Sequence, residues 1–420
     1  MNTSKTNMPL ETRTADPRAR QNRGWLGLAV LCSIALWGCG DLLTVDNPSQ
    51  IADRDLDLPE ALEPLVAGVA GEFAMAYRYT AINMAMYANE MQHTGSYPSW
   101  RVWDVGASAR PSSEANGMYN AIARAVWFAD NALIRLDKIL EHPERRAETA
   151  EILMWGGFAR FFYADNFCEA TFDGGPPVAP AQIYKDAEEK LSRAVTVAKA
   201  AGANDIALAA QAGRARARLM QGDFAGAAAD AAVIPDGFKY DVIYSNNSSR
   251  EYNWLASYTR TQFRPEVGVH PLYYQDQRYI NDPRTPFTDR GPAFKGVDDL
   301  RQFVQQEKFP NRASPIPLTN TAEARLILAE AELKRGNVAT AVTIINQLRV
   351  AVGLPAYEGP MDQDSVFKQL LFERSAELWL QGQRYLDLYR TNDPFIQTEV
   401  VDKCIPIGQT EWDSNPHLGG

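Results

Sequence analysis

The chain has 420 residues, enough for one large hydrophobic core or two modest ones, and 45% of them are hydrophobic, as in an ordinary globular protein. Its formal net charge is −10. An acidic chain without a basic stretch excludes a nucleic-acid partner, because phosphate binding requires clustered Lys and Arg side chains.

The start of the chain is typical of an export signal. Arg18, Arg20 and Arg23 precede an apolar run of 14 residues, which is too short to cross a bilayer. The run ends at Cys39, and a small residue before such a cysteine is typical of a bacterial lipobox. We therefore predict a lipoprotein signal peptide over residues 1–38 and a lipid anchor on Cys39. The alternative is a buried apolar helix that ends in an ordinary cysteine.

Helical periodicity dominates the next part of the chain. Apolar residues recur at helical spacing over 60–92 and again over 114–140, and a partner helix follows at 144–165. Between the first two helices, residues 95–106 interrupt the pattern, and we predict a polar loop that is rich in aromatic residues.

An internal repeat is the most informative feature. Residues 205–235 and 321–348 align at an offset of 114, which matches Gly222 with Gly336. Each copy predicts a helix rich in small residues, a turn of Gly-Asp or Gly-Asn, and a second helix. Small residues allow close helix packing, and glycine allows the left-handed conformation that ends the first helix. This is the pattern of a tetratricopeptide (TPR) unit.

We therefore predict an all-α, TPR-like helical-repeat scaffold, with helix pairs near 114–165, 181–235 and 318–392. Residues 240–316 have no clear period and are rich in Gly, Pro, Asn and Tyr, so they predict an irregular, loop-rich subdomain that faces a ligand.

Aromatic residues outside the helices are the best candidates for binding. Tyr and Trp rings stack on the apolar faces of sugars, and neighbouring polar groups bind the hydroxyls. The candidates from the two loops are Tyr97, Trp100, Trp103, Tyr252, Trp254 and Tyr258. The alternative is that these rings form the core beneath the irregular region.

Catalytic and metal chemistry have little support in the sequence. The carboxylate pair Glu373 and Glu377 suggests a glycosidase, in which one group acts as acid and the other as base or nucleophile. The two residues lie four apart on one predicted helix, however, and Arg374 and Arg384 near them favour ion pairs that hold the last helices together. The four histidines and the cysteines lack metal-ligand spacing, and no nucleotide or cofactor motif is present. We predict a protein without catalytic residues, metal or cofactor.

Besides the predicted anchor Cys39, two cysteines remain in the exported chain, Cys168 and Cys404. An exported protein with one such pair predicts a disulfide between the end of a helical block and the segment after the last one. The alternative is two unpaired thiols, since sequence gives no distance between them.

The order of several blocks resembles the SusD/RagB family over nearly the whole exported chain. The blocks are LTVDNPSQIADRDL after Cys39, MYNAIARAVWFADNALIRL at 118–136, TAEARLILAEAELKRGN at 321–337 and ERSAELWLQGQRYLDLYR at 373–390. Ser375 stands where the family commonly has a second arginine.

This resemblance implies that 39–420 form one SusD/RagB-like domain of TPR units with an irregular subdomain. It also implies an outer-membrane lipoprotein, anchored by lipid and facing the cell surface, that closes like a lid over a SusC-like TonB-dependent β-barrel transporter. The expected function is the capture of glycans or oligopeptides and their delivery to that transporter. The alternative is an envelope TPR scaffold that assembles other proteins and binds no nutrient.

Overall fold

The computed structural model describes residues 51–419 of the chain. The chain divides into two units, Met1–Asp55 and Leu56–Gly420. Of the first unit the structure describes residues 51–55 alone, and the account below concerns the second unit.

The two sequence features at the start of the chain lie outside the described residues. The signal peptide over 1–38 and the lipidated Cys39 therefore stay predictions. Within the described part of the chain, no helix combines the length and the apolar character that crossing a membrane requires.

Helices form most of the second unit, and the prediction of an all-α, TPR-like scaffold is confirmed. In chain order they are α1 (Leu62–Tyr87), α2 (Pro98–Trp103), α3 (Ser113–Ile139), α4 (Ala147–Asn166), α5 (Pro180–Ala201), α6 (Asn204–Gln221), α7 (Phe224–Ala232), α8 (Trp254–Thr259), α9 (Pro271–Gln275), α10 (Gln277–Ile280), α11 (Thr321–Lys334), α12 (Val338–Ala351), α13 (Gln363–Glu377), α14 (Arg384–Arg390), α15 (Pro394–Thr398) and α16 (Gln409–Ser414).

Short strands pair in three antiparallel two-stranded sheets within the described residues. The pairs are β1 (Met91–His93) with β3 (Val267–Val269), β2 (Lys239–Val242) with β6 (Ile316–Asn320), and β4 (Phe287–Asp289) with β5 (Val304–Gln306). The first two pairs join segments that are distant in sequence, whereas β4 and β5 both lie within the irregular region.

The two repeat copies end their first helices in the same way. Gly222 and Gly336 have φ of 80° and 88°, and each donates its amide to the carbonyl three residues before it. The next amide in each copy bonds to the carbonyl five residues before it, as in other helix ends closed by a left-handed glycine. Ala227 of α7 and Ala331 of α11 lie in one core cluster, so the copies pack against each other.

Small residues allow α4, α5 and α6 to cross closely. A Cβ atom on Gly213 of α6 would lie 2.7 Å from the ring of Phe158, and one on Gly157 of α4 would lie 2.6 Å from Leu191. Both distances are too short for real carbon atoms, so glycine is required at this crossing.

The first helix is shorter than its apolar pattern indicates. It ends at Tyr87 rather than near residue 92, because Asn89 takes a left-handed φ of 54° and the next residues form β1. Asn tolerates this conformation better than most residues. The segment 95–106, predicted as a loop, contains the short helix α2, which begins at Pro98.

A disulfide joins Cys168 to Cys404, with 5.2 Å between their Cα atoms. Around it, the Cys168 amide donates to the carbonyl of Ile405 at 2.9 Å, and Phe167 forms a parallel bridge with Ile405. The bond therefore fixes the segment before α16 to the C-terminal end of α4.

The helix crossing predicts an asymmetry between two glycine substitutions. Gly213→Ala should lower the free energy of unfolding by about 1–3 kcal/mol, because the new methyl group overlaps Phe158. Gly71→Ala, in α1, adds a methyl group to open space and should raise it by up to about 1 kcal/mol through helix propensity. Urea denaturation of both variants measures the difference, and equal shifts would contradict the close crossing.

The disulfide predicts a second stability change. Replacing Cys168 and Cys404 with alanine should lower the free energy of unfolding by about 2–5 kcal/mol, because the unfolded chain loses a cross-link over a separation of 236 residues. Urea denaturation of the variant and of the oxidised protein measures the loss. Alkylation of both thiols in unreduced, denatured protein would refute the bond.

Candidate ligand-binding surface

Aromatic residues from the two predicted loops meet in space. The ring centroids of Tyr97 and Trp100 lie 5.1 Å apart, Trp100 and Tyr258 are also 5.1 Å apart, and Tyr258 and Trp254 are 5.5 Å apart. A fifth ring, Tyr79 of α1, lies 4.2 Å from Trp254. We name these five residues the aromatic cluster. All but Trp100 keep part of their surface exposed.

The sheet β1–β3 brings the two loops together. Beyond the last paired residues, the Thr94 amide donates to the Glu266 carbonyl at 2.9 Å, and the Glu266 amide donates to the Tyr258 carbonyl at 2.9 Å. The buried Glu266 carboxylate accepts the Ser96 amide at 2.6 Å. A Cβ atom at Gly95 would overlap this carboxylate, so the glycine allows the loop to lie against it.

Helix α8 holds Trp254 and Tyr258 through its capping residue. The Oδ1 atom of Asn253 accepts the amides of Leu255 at 2.9 Å and Ala256 at 3.4 Å. Its Nδ2 atom donates to the carbonyl of Ser314 at 2.9 Å, and the residue is fully buried. An Asn cap of this kind stabilises the helix start by about 1 kcal/mol.

Two arginines lie over rings of the cluster. The guanidinium of Arg78 is 4.5 Å from the centroid of Trp254, and that of Arg264 is 4.5 Å from the centroid of Tyr97. Arg264 also donates to the Glu266 carboxylate at 2.7 Å, which fixes its position. Such cation–π contacts hold the planes of the rings in place, and they put the charged guanidinium groups beside the ring faces.

Burial favours the neutral form of the Tyr79 and Tyr258 phenols. Desolvation raises the pKa of Tyr79 and of Tyr258 above the ordinary value of a tyrosine. At neutral pH both hydroxyls therefore carry a proton and are able to donate and accept hydrogen bonds.

Two of the predicted aromatics lie elsewhere. Trp103 is fully buried, donates its Nε1 proton to the carbonyl of Asn83 at 2.8 Å, and packs on Tyr87, so it belongs to the core. Tyr252 is partly exposed and lies under Arg312, whose guanidinium is 4.5 Å from the ring centroid.

Tyr79 was not among the predicted aromatics. It lies inside a long helical pattern, where an aromatic residue is most simply interpreted as core. Its partial exposure distinguishes Tyr79 from a core residue, and this exposure is known only from the structure.

The carboxylates that suggested catalysis are held in ion pairs. Glu373 is fully buried, with Arg349 at 2.6 Å from Oε1 and Arg284 at 2.7 Å from Oε2. Arg374 of the same helix pairs with Asp387 of α14 at 2.7 Å. These contacts connect the last helices with the irregular region, and they occupy the groups that an acid–base pair would need.

A cavity of about 660 Å³ lies beside the disulfide, between the repeat copies and α14. Of its charged lining residues, Asp165 pairs with Arg216 and the Tyr184 hydroxyl, and Arg390 pairs with Glu330. The other lining cation, Lys334, lies over the ring of Phe367. The cavity is a hollow of the repeat scaffold, whereas the aromatic cluster lies on the side of the irregular region.

Comparison with known proteins finds a family model that matches part of the chain and solved structures with a similar fold. The model of the SusD family matches residues 230–412. No curated protein sequence matches the chain.

Three solved structures show the shared fold. A SusD superfamily protein from Bacteroides vulgatus ATCC 8482 has a TM-score of 0.60 and 16% identity, covering 83% of this chain and 97% of its own. A laminarin-binding SusD-like protein has a TM-score of 0.65 and 15% identity, covering 85% and 98%. A SusD/RagB family protein from Bacteroides thetaiotaomicron has a TM-score of 0.64 and 14% identity, covering 84% and 94%.

Proposed function

We propose that this chain is a member of the SusD/RagB family and a non-catalytic glycan-binding protein of the cell envelope. The SusD family model matches residues 230–412, and the described residues have the fold of SusD-like proteins, which supports this proposal. The observation that carries the proposal is the aromatic cluster, in which rings from three separate segments meet and remain partly exposed. A stable fold does not need four large rings at its surface, whereas sugar binding does.

Binding at the cluster is noncovalent. The exposed ring faces stack on the C–H faces of a sugar, and Arg264 with the hydroxyls of Tyr97 and Tyr258 binds sugar hydroxyls. The laminarin-binding relative supports a glycan rather than a peptide as ligand. Oligopeptides are the second ligand class, and the binding experiment below separates the two.

Delivery to a transporter completes the proposed function. Cys39 anchors the protein to the outer membrane, with the binding surface toward the cell exterior, and a SusC-like TonB-dependent β-barrel receives the ligand. Several acyl chains on one cysteine, at about 0.8 kcal/mol for each buried methylene, make such an anchor permanent. The lipobox and the match to the SusD family model support this part of the proposal.

The aromatic cluster predicts which substitutions weaken binding. Trp254→Ala combined with Tyr258→Ala should lower the affinity for a neutral glycan by about tenfold or more, because the central stacking surface is lost. Tyr252→Ala, which removes a partly exposed ring outside the cluster, should leave the affinity within about twofold.

Affinity electrophoresis and calorimetry measure these changes with laminarin, soluble starch, inulin, xyloglucan and a pool of oligopeptides as probes. Thermal unfolding of each variant checks that the fold is intact. Unchanged glycan affinity in the double variant would refute the cluster as the binding site. Binding of the peptide pool alone would show that the ligands are oligopeptides rather than glycans.

The anchor predicts the location and the partner of the protein. Cys39→Ser should move the chain from the membrane fraction to the soluble fraction, because lipidation requires the thiol. Purification of the native lipoprotein in mild detergent, followed by mass spectrometry, should recover a TonB-dependent barrel in near-equal amount. Recovery with periplasmic proteins alone would favour the alternative of an envelope TPR scaffold.

A further inference from the structure

A second pocket lies on the outer face of α3, and none of its lining residues belongs to the aromatic cluster. It encloses about 430 Å³, within the range of small-ligand sites. Trp127, Asn131 and Ile134 line one wall, and they share one face of the helix because they are spaced four and three residues apart. The loop after α4, with Phe172 and Asp173, forms the opposite wall.

Exposed apolar surface marks the mouth of this pocket. The Trp127 side chain is 48% exposed and that of Ile134 is 60% exposed, although both belong to a helix whose opposite face is buried in the core. Across the pocket, Phe172 is partly buried, with the guanidinium of Arg160 at 5.4 Å from its ring centroid. A large ring left in solvent beside a concave surface is typical of a ligand site rather than of packing.

Polar groups are fixed at the floor. The hydroxyls of Tyr119 and Thr171 lie 2.9 Å apart, and the Thr171 hydroxyl donates to the Glu411 carboxylate at 2.6 Å. The Oδ1 atom of Asn131 accepts the Nε proton of Arg135 at 2.8 Å, which sets the orientation of the amide. Hydroxyl, carboxylate and amide groups with fixed positions are the groups that bind sugar hydroxyls.

The charged residues around the pocket favour neutral sugars over anionic ones. The cations near the pocket are paired with carboxylates: Arg124 with Glu72, and Lys190 with Asp130 at 2.8 Å. Asp173 lies exposed at the rim. An anionic ligand would meet this carboxylate and find the cations already paired, so the pocket favours a neutral ligand.

We propose that this pocket is a second glycan-binding site, which takes a neutral sugar unit stacked on Trp127 and bound by Asn131, Asp173 and Glu411. It shares no residue with the aromatic cluster, and it goes beyond the function proposed above. Two sites on one chain allow a polysaccharide to bind at two points, which raises its apparent affinity without any new contact.

The test uses the full-length exported protein in which Trp254→Ala and Tyr258→Ala have removed the central rings of the cluster. Affinity electrophoresis with laminarin, soluble starch, inulin and xyloglucan detects what binding remains. Trp127→Ala is added to this background, and Phe128→Ala is the matched control. Phe128 is an adjacent exposed ring, at 37%, that does not line the pocket.

We expect residual binding of at least one glycan, a loss of about tenfold or more with Trp127→Ala, and a change below about twofold with Phe128→Ala. If the cluster variant binds glycan as tightly as the wild type and Trp127→Ala alone removes binding, the site at Trp127 is supported and binding at the aromatic cluster is refuted. Absence of residual binding, or residual binding that Trp127→Ala leaves unchanged, overturns the second site. A dimer that Trp127→Ala dissociates in sedimentation also overturns it, since the pocket would then be an interface between copies.

Discussion

Burial of the C-terminal end of helix α1 on all sides is the constraint on which the rest of the structure depends. Every residue from Thr80 to Tyr87 is buried, so no face of this stretch meets solvent. Its polar side chains then find partners in distant parts of the chain. The Tyr77 hydroxyl donates to the carbonyl of Pro317, and the Tyr87 hydroxyl donates to the carbonyl of Asp402. One helix thus binds the end of the irregular region and the C-terminal segment at once.

The same helix connects the core with the aromatic cluster. Arg78 donates to the carbonyls of Ser249 and Arg250, which places the turn before α8, and it also lies over the ring of Trp254. The next residue, Tyr79, supplies a ring of the aromatic cluster. The position of the aromatic cluster is therefore set by the core as well as by its own loops, and a rigid support of this kind would preserve the geometry that the proposed stacking requires.

The helical scaffold is predictable from the sequence because its signals are local. The spacing of apolar residues marks the helices, and Gly222 and Gly336 mark the ends of the two repeat copies before any long-range contact is known. The end of α1 is less predictable, because the apolar pattern continues to residue 92 although the left-handed Asn89 lies within it.

The binding surface is less predictable, since it depends on pairing between β1 and β3, whose residues are far apart in the chain. The sequence supplied four rings of the cluster, but it could not show that two loops meet. It also placed Trp103 among the exposed candidates, although Pro98 begins a helix that turns this ring into the core. The sequence did not predict the pocket at Trp127, because the helix that carries this residue has the ordinary pattern of an amphipathic helix.

The disulfide has a mechanical consequence. Cys168 and Cys404 close a covalent ring that contains both repeat copies and the whole irregular region. A force applied between the two ends of the chain passes from Cys168 directly to Cys404 through the sulfur atoms. The segment between them carries no tension along its backbone, so pulling on the ends does not stretch it out. Strand β1 precedes Cys168, however, and its pairing with β3 breaks when that part of the chain extends. Only the helices before Cys168 and the short segment after Cys404 can extend.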